Sequence, residues 1–154
     1  MAKKRVLIPY NFTPYDEKAL DFVINTFADK KDIEITLFHT YTPLPEVDMD
    51  EIPEMRKMAR GVSFLSQELS KKEDGLKSAK EFLTENGFST DQVDYIFKEK
   101  GTSIADEIIE TASNGHYNIL VFSRQPGKVT RFFARSVHNK VLSILKDVTV
   151  CIAT

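Results

Sequence analysis

Apolar positions along this chain follow two rhythms: short dense runs, and longer stretches repeating every three or four residues. Residues 5–10 (RVLIPY) form a nearly continuous apolar run, the pattern of a strand covered on both faces. Thr13 and Pro14 read as the N-cap and first residue of a helix, with Asp16 completing a capping box. Leu20, Val23, Ile24 and Phe27 then share one helical face. Residues 33–40 (IEITLFHT) are rich in β-branched and aromatic types and predict a second strand. The connection after it carries Pro43, Pro45 and Pro53, which predict irregular structure over most of its length. A polar helix from about 64 to 86 turns Leu65, Leu69, Leu76, Ala79 and Leu83 inward and ends at Gly87, with Gly75 weakening its middle. Residues 92–98 alternate as a third strand. Ser103 caps a helix bearing Ala105, Ile108, Ile109 and Ala112, which stops at Asn114 and Gly115. Residues 118–123 (NILVFS) are the most hydrophobic strand, expected to lie centrally. A helix near 130–146 and a last strand, 148–154, close the chain.

Five strands alternating with four helices imply βαβ units, hence an α/β fold in which helices cover both faces of an open parallel sheet. The expected strand order is 3-2-1-4-5, in one domain spanning 1–154, because right-handed crossovers leave few alternatives. Ligands in such Rossmann-like sheets lie at the carboxyl ends of the strands, where the winding direction reverses. Here that is between the first and fourth strands, bordered by the loop Asn11–Thr13 and by residues 123–130.

Composition narrows the function. Apolar residues make up 42% and charged residues 29% of 154 positions, the balance of a soluble globular chain. A net charge of −2 argues against electrostatic binding to nucleic acid or to an anionic membrane. No apolar run approaches the roughly 20 residues that span a bilayer, and the amino terminus lacks the apolar core of a signal peptide. The expected location is the cytoplasm. One cysteine, Cys151, offers no intrachain disulfide; inside a β-branched strand it reads as a small hydrophobe. His39, His116 and His138 are dispersed and suggest no metal site. Ser123 and Ser136 lack a hydrolase elbow. No catalytic residue is expected.

Five segments in order resemble the universal stress protein family. VLIPYNFT resembles its opening strand and loop (V-P-x-D-G-S), and TLFHTYTP its second strand. GTSIADEIIETA resembles a family helix start, NILVFSR its fourth strand, and RSVHNKVLSILKDVTVCIAT its last helix and strand. The resemblance implies an adenine nucleotide alpha hydrolase-like fold. It maps the family's ATP site onto Pro9, Asn11, Thr13, Thr40, Ser123, Arg124, Gln125, Arg135, Ser136 and Val137.

That site is degenerate. The family's nucleotide motif is G-x2-G-x9-G-[S/T]. With Ser136 on its final position, Phe122, Gln125 and Arg135 replace the three glycines, and Gly127 falls out of register. Glycine gives such loops positive φ and lets backbone N–H groups approach phosphate oxygens. Asn11 stands where the family has Asp, losing the charge that would attract magnesium, and Phe12 stands where it has Gly. Two rings beside one crevice predict a filled cavity and no cofactor. The alternative has the rings pointing into the core and leaves a modified ATP and magnesium site open.

From Tyr117 to Lys146 there is no acidic residue, while Arg124, Lys128, Arg131, Arg135, Lys140 and Lys146 all occur. This segment reads as a solvated face or a salt-bridging surface for the acidic 46–54 loop, with an arginine-gripped anion as the alternative. The resemblance further implies a homodimer through the edge strand Val148–Thr154. The expectation is a stress-response protein that acts by association with unidentified protein partners and is not an enzyme; its rival is an ATP-binding regulator with at most weak hydrolysis.

Overall fold

The structure, a computed structural model, describes residues 3–44, 53–124 and 132–154, with backbone alone at 53–59 and 132–136. Its elements are β1 (Lys4–Pro9), α1 (Asp16–Phe27), β2 (Ile33–Tyr41), α2 (Pro53–Glu85), β3 (Val93–Glu99), α3 (Ile104–Asn114), β4 (Ile119–Ser123), α4 (Phe132–Ile144) and β5 (Thr149–Ala153). All strand pairs are parallel, and the order is β3-β2-β1-β4-β5, as the alternation of elements predicts.

Two apolar cores follow from the pleat, because successive strand residues face opposite ways. Val6 and Ile8 of β1, Ile33, Ile35 and Leu37 of β2, and Val121 of β4 meet α1 and α2 through Ala19, Leu20, Val23, Leu76, Ala79 and Leu83. Leu7, Phe38, Leu120 and Phe122 face the other way, onto Ala105, Ile108 and Ala112 of α3 and Val137 and Val141 of α4. The central strand is β1, and β4 lies between it and the edge strand β5.

Two local expectations need correction. Helix α1 starts at Asp16, preceded by Tyr15 with no side-chain cap. Only half of the predicted box forms: Asp16 Oδ2 accepts the Thr13 N–H at 2.7 Å. Helix α2 begins at Pro53 and runs 33 residues, far longer than the 64–86 span predicted. Pro53 does not break structure there because a first helical residue needs no N–H donor. Its end is as read: Gly87 takes φ 120°, and Phe88 N–H reaches back to Leu83 O at 3.3 Å, the closing bond of a Schellman turn. Ser103 caps α3, its Oγ accepting Asp106 N–H at 3.1 Å.

Candidate functional site

The carboxyl ends of β1 and β4 are joined by a side chain the capping-box reading undervalued. Asp16 is 1% exposed. Its Oδ1 accepts the Asn11 N–H and the Ser123 hydroxyl, each at 3.1 Å, and its Oδ2 accepts the Thr13 N–H. One carboxylate thus ties the loop after β1 to the last residue of β4. Burial pushes this carboxyl above the ordinary range, against the lowering effect of the Thr13 and Asn11 amides and the Ser123 hydroxyl.

Within the same loop Phe12 holds φ 60°, the left-handed region that a non-glycine residue rarely enters. Phe12 thus carries a ring on a backbone conformation that suits glycine best. The Phe12 ring meets Tyr10 at 5.0 Å and His39 at 4.7 Å, both edge-on. It lies against α2 at Gly75, where a Cβ would come 2.9 Å from Phe12 Cε1. His39 Nδ1 is 2.9 Å from Tyr10 O. Burial lowers its pKa, which favours the neutral ring with Nδ1 as donor. Phe97 stacks on His39 and meets Tyr41 in turn, so an aromatic ridge caps β1, β2 and β3.

Phe122 lies on the opposite side of the sheet. It is 2% exposed, packs in the core beneath α3 and α4, and meets His138 at 4.6 Å. The expectation that Phe12 and Phe122 fill one cavity together is corrected: each ring packs against a different core. The parity of the strand decides this, since Phe122 shares its face with Leu120 and not with Val121.

The remaining mapped residues divide. Pro9 ends β1. Thr40 is buried, and its Oγ1 has no hydrogen-bond partner among the described residues. Val137 is buried in the α4 core, and Arg124 is exposed with its N–H bonded to Ala153 O at 2.9 Å. Arg135 and Ser136 lie in α4, their side chains outside the described ones. Gln125, Gly127, Lys128, Arg131 and the acidic stretch 46–52 lie outside the described residues. In the basic segment Lys140 pairs with Asp106 of α3 at 2.7 Å, so part of it bridges helices within the chain.

A second buried carboxylate, unremarked in the sequence, repeats the logic of Asp16 one unit along. Glu107 accepts N–H groups from Gly101 at 2.8 Å and Thr102 at 3.2 Å, and pairs with Lys98 at 3.1 Å. The signal available was its place in the first turn of α3 after the Ser103 cap. The Gly101 amide, with Lys98 and Thr102, holds its pKa below 4.5 despite burial. A lowered folded-state value contributes stability above the unfolded value, lost as pH falls through the folded one. Glu107→Gln should therefore cost about 1.5 kcal/mol near neutrality and flatten the acid limb of stability below pH 4.5. Urea midpoints measured against pH would check both, and an unchanged acid limb would count against the assignment.

The residues fit a nucleotide poorly on the β1 side. The loop N–H groups that could hold a phosphate are taken by Asp16, which also places a carboxylate at that point. Among the described residues no group of three or more His, Cys, Asp and Glu could hold a metal ion, and no helix is long and apolar enough to cross a membrane.

The sequence matches the model of the universal stress protein family over residues 3–151. No curated protein matches it significantly. Among solved structures it is similar to the universal stress protein UspA from Lactobacillus plantarum, 12% identical, with TM-score 0.66 over 100% of this chain and 99% of that one. It is also similar to a universal stress protein from Archaeoglobus fulgidus in complex with dAMP, 14% identical, TM-score 0.61, covering 100% of both chains. A third, a universal stress protein in complex with cAMP, is 15% identical with TM-score 0.58 over 99% and 98%.

Proposed function

The chain belongs to the universal stress protein family, and on that footing we propose that it acts in the cytoplasmic stress response by association with other proteins, not by catalysis or by binding ATP. The observation that carries this reading is the occupied loop after β1. Its Asn11 and Thr13 donors already bind the buried Asp16 carboxylate, a fixed negative charge where a phosphate would need positive potential. The Phe12 ring then closes the neighbouring surface against Gly75. Association as a homodimer through Val148–Thr154 draws support from β5 as an edge strand, with Ile152 39% exposed.

A second reading keeps an adenine nucleotide, with little or no hydrolysis. Relatives of the same fold carry dAMP and cAMP, and the buried Thr40 Oγ1, near the carboxyl end of β2, lacks a partner among the described residues. Calorimetric titration with ATP, with and without magnesium, separates the two. The expected result is no binding heat and no nucleotide copurifying with the protein. A dissociation constant in the micromolar range would sink the closed-crevice reading and make the protein a nucleotide-responsive regulator.

A further inference from the structure

Near the carboxyl end of β2, His39 is held in a way that suits one ring proton and not two. Its Nδ1 is 2.9 Å from Tyr10 O; a carbonyl only accepts, so Nδ1 carries the hydrogen of the neutral ring. Nε2 is then a bare lone pair, buried and without a hydrogen-bond partner among the described residues. Two rings flank the imidazole, Phe97 stacked at 6.0 Å and Phe12 edge-on at 4.7 Å. A second proton would make Nε2 a charged donor with nothing to accept from it, which costs far more than leaving an acceptor bare. Phe97, at the outer limit of a cation–π contact, offsets little of that cost. Among the neighbours, burial opposes the charge most, the Tyr10 carbonyl favours it, Lys72 of α2 opposes it and Asp16 of α1 favours it. The Tyr10 phenol, its pKa pushed up by burial, stays neutral throughout, and β3 presents the uncharged Phe97 ring.

A protonated Nε2 reaches water only if a flanking ring moves, and the two rings are not equally free. Phe97 is the β3 residue in register with His39, fixed by the parallel ladder. Phe12 lies beyond the end of β1, half-buried, on a backbone with φ 60°. We propose that Phe12 is a proton-operated latch: when His39 takes up a proton at Nε2, the Phe12 ring swings away from it and leaves its seat against Gly75 of α2. The loop backbone stays in place, because Asp16 holds the Asn11 and Thr13 amides whichever way the ring points. Opening therefore uncovers the imidazolium and part of α2 without freeing those amides for a phosphate. The device goes beyond the association reading and does not depend on it. The closed ring disfavours the second proton and the open one does not, so the latch is shut above the free imidazole value of 6.5 and opens as pH falls below it.

Proton NMR of the full chain from about pH 7.5 to about pH 5 would follow the His39 ring protons, assigned by their loss in His39→Phe. It would also follow the through-space signal between the Phe12 ring and the Gly75 α-protons, with the strand amides reporting that the fold persists. In wild type that signal should fade with the His39 midpoint. Phe12→Gly removes the latch and should move the midpoint upward, toward 6.5, because ring position and proton binding are reciprocally linked. Gly75→Ala should move it the same way, since the new Cβ would come 2.9 Å from Phe12 Cε1 and unseat the ring. A Phe12–Gly75 signal that persists once His39 is protonated, or one midpoint shared by wild type and Phe12→Gly, would overturn the proposal. So would a signal lost to the same extent in His39→Phe, which would assign the change to a carboxylate such as Asp16.

Discussion

Phe122→Gly should lower the unfolding free energy by about 4 kcal/mol, although it restores the residue that the family motif carries at this position. Phe122 is almost fully buried among Leu7, Phe38, Leu120, Val137 and Val141. Removing a buried ring forfeits its transfer energy and leaves a cavity that close-packed neighbours only partly refill. Glycine within a strand adds a further conformational cost. For a domain of this length the melting temperature should fall by about 10 °C. Phe12→Gly should behave quite differently. Position 12 already holds φ 60°, so glycine relieves strain of about 1 kcal/mol while losing a half-buried ring, and the net change should be small. Thermal and urea unfolding of the two variants would check the contrast. A loss under about 1 kcal/mol for Phe122→Gly would mean that the ring is not a core element.

Asp16→Ala should be nearly as damaging, at about 3 kcal/mol, because it leaves the Asn11 and Thr13 amides and the Ser123 hydroxyl without their shared acceptor. Asp16→Asn should cost less, since one oxygen still accepts. The pH dependence has a definite sign. Burial raises the folded-state value above 3.8, so the folded protein holds this proton longer than the unfolded chain. The stability this contributes is fully present below 3.8 and is lost as pH rises through the raised value. Asp16→Asn should abolish that decline while leaving the opposite, acid-side loss due to Glu107. Chemical unfolding at a series of pH values would resolve the two. An Asp16→Asn profile parallel to wild type would show that the carboxyl does not titrate differently on folding.

Element order, the parallel sheet and its strand order were legible because they depend on hydrophobic rhythm and on the handedness of crossovers, both local or nearly so. The start of α2 was not. Pro43, Pro45 and Pro53 look alike in a one-dimensional reading, yet Pro53 opens the first turn of a helix, where a missing N–H costs nothing. Asp16 was half legible: its bond to Thr13 follows from a three-residue spacing. Its bond to Ser123 spans 107 positions and arises only when β4 pairs beside β1. The substituted motif positions were visible as substitutions, but not their geometry. Phe12 and Phe122 look equivalent in sequence, and only strand parity and an unusual backbone angle send them to different cores.

The contact between Phe12 and Gly75 also orders the changes open to this protein over evolutionary time. A glycine midway along an exposed helix gives up about 1 kcal/mol relative to alanine, so drift should erase it. An alanine there would press its Cβ to within 2.9 Å of the Phe12 ring, and the gain is withheld as long as that ring remains. Once position 12 reverts to a small residue, position 75 is released and the helix gains by filling in. Any ring returning to position 12 would then collide with the methyl group. The two sites form a one-way gate: a lineage that crosses it in this order keeps an unobstructed loop, and the obstructed form becomes hard to regain.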